Sequence, residues 1–295
     1  MSVLRRASWL FPMFPLAIGM LVMLQGGAPP ARWAVQLGAG ALGAILFLAS
    51  GMQTQRSPRE TSAPVLAIGV AAILASMMAT LTGDGLSGVH RWIALGPILL
   101  HPSALFSPLL LAVASRQIIR RPPATLVVLA ATQALHLAQP DAGQATSFGV
   151  AVAVLILGTR ALASPLSRGF ALALTAASIA VAWLRPDPLA PAPFVEDILA
   201  RAAAQSPAIG GLAAYSLFFL VITPQLAPAT SLGAHAGARR GPGVAPGAMA
   251  LTAYLACSVL VVLAGQFPVP VLGFGASPVL GVYLGLAALG ARPAR

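Results

Sequence analysis

Four short stretches of an otherwise apolar chain hold residue types that could do chemistry. In Gly83-Asp84-Gly85-Leu86-Ser87-Gly88-Val89-His90-Arg91-Trp92, an arginine stands beside a tryptophan. A guanidinium fork suits phosphate oxygens, and an indole suits the border between lipid and water. The pair also reads as an interfacial anchor, the commoner use of Arg-Trp at a membrane border. The second stretch, Gln139-Pro140-Asp141-Ala142-Gly143, puts a carboxylate at the turn between two apolar runs. A carboxylate there is costly unless paired or wetted, and it is also a good N-cap for the run that follows. His136, about one helical turn earlier, reads as a satisfied interior group or as part of the same site. The third stretch runs from Arg185 to Arg201. Its prolines make the first half stiff, and Phe194, Ile198 and Leu199 with Glu196, Asp197 and Arg201 predict a short amphipathic helix. Asp197 and Arg201 are also spaced for a plain i,i+4 ion pair. The fourth, Pro268-Val269-Pro270-Val271-Leu272-Gly273-Phe274-Gly275-Ala276-Ser277-Pro278, lets backbone approach a ligand or another helix closely.

The elements that must position these residues follow from composition. The 295 residues are 58% hydrophobic and 8% charged, with a mean hydropathy of +0.88. A soluble domain carries about a quarter charged residues, and a disordered chain lacks the apolar content. The 17 basic residues are all arginine, and the net charge is +11. Because they are spread through apolar sequence, they read as membrane-orienting charges rather than a nucleic-acid surface. The single Cys257 excludes a disulfide framework and a cysteine-rich metal site. No Walker A loop, strand-borne GxGxxG or His-Glu-x-x-His motif is present, so nothing supports ATP hydrolysis or zinc chemistry.

Apolar runs at 8–25, 33–51, 64–82, 103–117, 124–138, 145–159, 169–184, 207–224, 247–265 and 277–291 predict ten membrane helices. The fold class is therefore all-α, a polytopic helix bundle forming a single transmembrane domain over 1–295. With a cytoplasmic N-terminus, thirteen of the 17 arginines fall inside and Arg32, Arg91, Arg185 and Arg201 fall outside. That asymmetry predicts both termini inside. The acids invert it: Asp84, Asp141, Asp187, Glu196 and Asp197 lie outside, and only Glu60 lies inside. Arg5 and Arg6, the apolar run after them and Ala28-Pro29-Pro30-Ala31 also have the form of a cleaved signal, but the length of the run favours a retained first span. The linker 225–246, rich in Gly and Pro, reads as flexible.

In order and at these topological places, the motifs resemble those of the SEDS family (shape, elongation, division and sporulation; the FtsW, RodA and SpoVE group). Arg91-Trp92-Ile93-Ala94-Leu95-Gly96 is similar to the family's Arg-Trp-Ile-x-Leu-Gly, and His101-Pro102-Ser103 to its Gln-Pro-Ser. Gln139-Pro140-Asp141-Ala142-Gly143 is similar to Gln-Pro-Asp-Leu-Gly. Pro270-Val271-Leu272-Gly273-Phe274-Gly275-Ala276-Ser277 is similar to Pro-Phe-Ile-Ser-Tyr-Gly-Gly-Ser.

The resemblance implies a protein of the bacterial cytoplasmic membrane that acts in peptidoglycan assembly, cell division or cell shape. It would polymerise glycan strands from lipid II beside a class B penicillin-binding transpeptidase. Arg91, Trp92, Gln139, Asp141 and Ser277 would bind substrate, with Arg91 on the diphosphate and Asp141 paired to a buried cation. Asp187 or Asp197 would be the catalytic base. No metal ligands are assigned, although a diphosphate draws cations or a divalent metal ion.

The chain also departs from the pattern. Ala104 and Ser107 stand where the family has Glu and Lys, and Phe274 and Ala276 where it has Tyr and Gly. The outer loop that carries the family's acidic Pro-Glu-x-His-Thr-Asp stretch has no counterpart motif here. These departures keep open a non-catalytic scaffold that binds the precursor or the transpeptidase, with a lipid-linked precursor transporter as a third reading.

Overall fold

A computed structural model of the chain describes residues 7–56, 62–83, 85–96, 98–159, 162, 164–185, 187–226 and 245–290. Arg5, Arg6, Arg59, Glu60, Asp84, Arg160, Arg239, Arg240, Arg292, Arg295 and linker residues 227–244 lie outside these described residues. The helices are α1 (Met13–Gln25), α2 (Pro30–Arg56), α3 (Ala63–Ala79), α4 (Pro102–Arg120), α5 (Pro122–Ala138), α6 (Ala142–Thr159), α7 (Pro165–Trp183), α8 (Ile198–Gln205), α9 (Pro207–Leu226), α10 (Pro246–Leu260) and α11 (Ala276–Gly290). All but the short α8 fall on the ten apolar runs. Eight are long and apolar enough to cross a membrane, some with a flanking 3₁₀ turn, while Pro122–Ala138 and Ala276–Gly290 are shorter apolar helices. The chain is a polytopic all-α membrane protein.

Proline sets many of the helix starts. Pro30, Pro102, Pro122, Pro165, Pro207 and Pro246 each open a helix, where a missing N–H costs nothing and φ is already helical. Ser164 adds a side-chain cap, its Oγ accepting the Leu166 N–H at 3.2 Å.

The most extensive helix contacts are α4 with α11, α6 with α10 and α2 with α11. Their core includes Leu111, Ile118, Phe148, Leu155, Leu251, Leu255 and Tyr283, all buried. Small residues let α11 approach α4 closely: a Cβ at Gly281 would lie 2.3 Å from the Ala104 carbonyl oxygen, and one at Gly285 2.8 Å from Pro108 Cβ. Close backbone approach of this kind replaces the hydrophobic drive that is lost between helices in lipid. At the rim, α3 and α7 expose Val65, Ile68, Leu166 and Phe170, as lipid-facing helices do.

The apolar half of the Arg-Trp loop is not helical. It forms a two-stranded antiparallel hairpin, β1 (Ile93–Leu95) with β2 (Ile98–Leu100), pairing Ile93 with Leu100. The ladder pairs the backbone groups that face each other across the two strands, and the hairpin presents Leu95, Ile98 and Leu99 outward.

Candidate functional site

All four stretches meet at one end of the bundle. They wall a cavity of about 380 Å³ whose lining includes Arg32, Arg91, Trp92, His101, Asp141, Asp187, Glu196, Tyr254 and Ser277. A second space of about 260 Å³ adjoins it, lined by Trp183, Arg185, Asp187, Gln266 and Phe267 among others. Asp187, Leu189, Gln266 and Phe267 border both.

Arg91 follows a tight turn in which Leu86 and Val89 exchange backbone hydrogen bonds at 2.9 Å. Gly85 and Gly88 hold that turn at φ +65° and +80°, a region that glycine enters without strain. The Arg91 side chain is only 5% exposed. Its Nη2 donates to the Pro140 carbonyl and lies 2.8 Å from Asp187 Oδ2. Its Nε is 3.8 Å from Asp141 Oδ2 and has no hydrogen-bond partner. Trp92 lies beside the guanidinium, with 5.9 Å from Arg91 Cζ to the ring centroid, and meets the His101 ring edge-on.

Asp141 does both things its position suggested. Oδ1 accepts the Gln144 N–H at 3.0 Å and caps α6, while Oδ2 faces Arg91 and His101. His101 Nε2 is 3.0 Å from Oδ2, although the approach is too bent for a full hydrogen bond. His101 Nδ1 accepts the Ala104 N–H at 2.9 Å as the N-cap of α4. Nδ1 must therefore hold its lone pair, and the ring proton sits on Nε2, aimed at Asp141. Burial alone pushes the Asp141 carboxyl up. The Arg91 charge, His101 and the Gln144 N–H outweigh that and hold it below the usual carboxylate range.

Ser277 fixes the floor, its Oγ accepting the His101 backbone N–H at 2.9 Å. The loop before α11 is held by Gln36, a buried side chain on α2. Gln36 Nε2 donates to the Val271 and Gly273 carbonyls at 2.7 and 2.9 Å, and Oε1 accepts the Gly275 N–H at 2.9 Å. These bonds hold Val271 at φ +66°, a strained conformation for a β-branched residue. The same loop ties to the third stretch, where the Phe274 N–H donates to the Phe194 carbonyl at 2.7 Å.

The structure brings Arg91, Trp92, Asp141, Asp187 and Ser277 together on the cavity wall. Gln139 does not line it. It is buried behind the wall, accepting from Ser103 Oγ at 2.7 Å and donating to the Met77 carbonyl and Thr80 Oγ1, so its contacts are those of a packing residue. Asp197 also faces away from the cavity. Oδ2 pairs with Arg201 Nε at 2.6 Å and Oδ1 accepts the Phe194 N–H, which is the plain i,i+4 pair at the start of α8. His136 is buried against Phe148.

Sequence reasoning did not single out Gln36, His101, Arg32 or Tyr254 as site residues. Gln36 and Tyr254 are single polar groups within apolar runs, and that isolation was the available signal. Glu196, on the wall, accepts the Ala192 N–H at 2.7 Å, and burial pushes its carboxyl up. Among the described residues no three His, Cys, Asp or Glu side chains group as a metal site. Asp141 and Asp187 both face Arg91, so this donor set does not fit a divalent ion.

Apolar helices around a cavity, with one buried guanidinium and several acids on its wall, define a polytopic membrane protein with a polar cavity at one end of its bundle. In fold it is a SEDS-like membrane protein. The rod shape determining protein RodA of Thermus thermophilus matches over 96% of this chain and 94% of its own, at 18% identity and a TM-score of 0.61. An aspartate-to-alanine mutant of that RodA matches with a TM-score of 0.62 at the same identity, over 96% of this chain and 95% of its own. No protein-family profile matches the sequence, and no curated protein does.

Proposed function

We propose that the protein acts in bacterial peptidoglycan assembly, binding a lipid-linked precursor such as lipid II in the larger cavity and extending glycan strands from it. The observation that carries this reading is the convergence of four separate stretches on one cavity around buried Arg91. The arginine asymmetry supports an orientation with both termini in the cytoplasm, which puts the cavity on the outer face of the cytoplasmic membrane.

In the reaction, an acceptor sugar hydroxyl attacks the anomeric carbon of the donor. A new carbon–oxygen bond forms there while the bond to the diphosphate breaks, and the bonding electrons leave with the polyprenyl diphosphate. The hydroxyl proton passes to Asp187, the acid that borders both cavities. Arg91 takes the charge that develops on the diphosphate. Trp183, Gln266 and Phe267 offer the smaller space the mixed aromatic and amide surface that suits a sugar acceptor. A class B penicillin-binding transpeptidase is the partner that would cross-link the product.

The test is purified protein, alone and with such a transpeptidase, incubated with labelled lipid II and resolved on a gel. Glycan polymer that is lost in Arg91→Ala and Asp187→Ala supports polymerisation. The second reading, a scaffold that binds the precursor without chemistry, is favoured by Ala104 and Ser107, which put no charge beside the cavity where the family pattern has Glu and Lys. It expects saturable binding weakened by Arg91→Ala, and no polymer.

A further inference from the structure

The cavity as it stands is not ready for an anion. Arg91 already faces two carboxylates, Asp187 at 2.8 Å and Asp141 at 3.8 Å. The three groups sum to one net negative charge, so a diphosphate would meet repulsion rather than attraction.

The two acids are not held alike. Asp141 is 5% exposed and fixed from behind by the cap on α6. Asp187 is 27% exposed and sits on a loop. Among the described residues, its Oδ1 accepts only the nearby Leu189 N–H, at 3.2 Å, and a single ion pair, Arg91 Nη2 to Oδ2, holds it in the site. A pair with one partner buried and the other open to solvent on a loop is weaker than a fully buried one, and a bidentate phosphate on a guanidinium is stronger. Arg91 Nε, buried and without a hydrogen-bond partner, is a spare donor for the second phosphate oxygen.

We propose that Asp187 is a displaceable occupant of Arg91, exchanged for the ligand's diphosphate. This rests on the reading of the cavity as a site for a lipid-linked diphosphate. On exchange, the carboxylate leaves Arg91 for the adjoining space that it also borders, where the acceptor hydroxyl would lie. The Oδ2 lone pairs that Arg91 had occupied become available to take the hydroxyl proton. Asp187 thus excludes ligand when the site is empty and becomes a usable base only when the donor is bound.

The test is binding of a polyprenyl diphosphate to the full-length protein in nanodiscs, comparing wild type, Asp187→Asn, Asp187→Ala and Arg91→Ala. Removing the competitor should tighten binding by up to about fivefold in both Asp187 variants, the worth of one partly exposed ion pair, while the same variants lose polymer formation. Arg91→Ala should weaken binding. Hydrogen exchange on the wild-type protein gives a second readout that needs no variant: peptides spanning 184–192 should exchange faster once the diphosphate is bound. If wild type binds and the Asp187 variants bind equally or more weakly, or if those peptides do not speed up, the exchange is wrong and the binding site stands. If neither wild type nor the Asp187 variants bind, the reading of the cavity fails, and the exchange with it.

Discussion

Replacing Asp141 by Asn should cost more than its near-isosteric shape suggests. The carboxylate serves two donors at once, Oδ1 taking the Gln144 N–H and Oδ2 facing the His101 Nε2–H. An asparagine has one oxygen, so one donor must face an amide NH₂. His101 cannot escape by moving its proton, because Nδ1 is needed to cap the Ala104 N–H. The loss is therefore the close but bent contact of the His101 Nε2–H with a charged oxygen, about 1–3 kcal/mol for a buried donor left facing another donor, plus a share of the Arg91 attraction. Asp187 remains on Arg91 and keeps that charge from being orphaned, so the total stays near 2–3 kcal/mol, short of the full cost of breaking a buried pair. At roughly 2 °C per kcal/mol for a chain of this size, the melting temperature in detergent at pH 7 should fall by about 4–6 °C. Asp187→Asn, at a partly exposed pair, should cost about 1 kcal/mol or less. An Asp141→Asn protein that melts with wild type, or an Asp187→Asn protein that loses as much, would refute the argument that Asp141 is the fixed acid and Asp187 the loose one.

Other outcomes follow from the same geometry. His101→Gln, which can cap α4 or donate to Asp141, should be milder than His101→Leu, which can do neither; parallel melting curves check the order. Gln36→Leu leaves three backbone groups of the loop before α11 without partners and should destabilise by about 2–4 kcal/mol, with faster hydrogen exchange over 271–275. Asp141 is held below its unfolded value, so its contribution is full above the ordinary aspartate range and is lost as pH falls through the lowered folded value. Glu196 runs the other way: burial raises it, so the stability tied to it is present below the ordinary glutamate range and is lost as pH rises through the raised folded value. Melting scans against pH on wild type, Asp141→Asn and Glu196→Gln separate the two, since each variant should flatten only its own limb.

The helices were legible because proline and apolar length are local signals. The segments read from sequence match ten observed helices to within a few residues, and the break at Gln139-Pro140-Asp141 separates α5 from α6 as expected. Pairing was only half legible. That Asp141 would need a buried cation followed from the cost of a lone charge near lipid, but not which cation it would be. That Asp187 would share Arg91 did not follow, because 96 residues separate them and nothing local aims one at the other. Gln139 sits within a motif and beside Asp141, yet the turn points it at Thr80 and Ser103. Neighbours across a tight turn face opposite ways, and sequence spacing does not say which way. Asp197 had a local partner four residues on, and the local partner won.

The lengths of two helices set the depth of the cavity. α5 has 17 residues and α11 has 15, so at 1.5 Å per residue they span roughly 26 and 23 Å. Hydrocarbon about 30 Å thick exceeds both by roughly 4–7 Å. α5 ends just before the Asp141 turn and α11 begins at Ala276, next to Ser277, so both stop at the cavity floor. Where longer neighbours such as α2 and α4 span the full thickness, helices this short would leave the floor in a dimple below the surrounding surface. A headgroup tethered to a lipid tail would reach Arg91 by sliding sideways at its own depth, whereas a molecule free in water would first have to descend into that dimple.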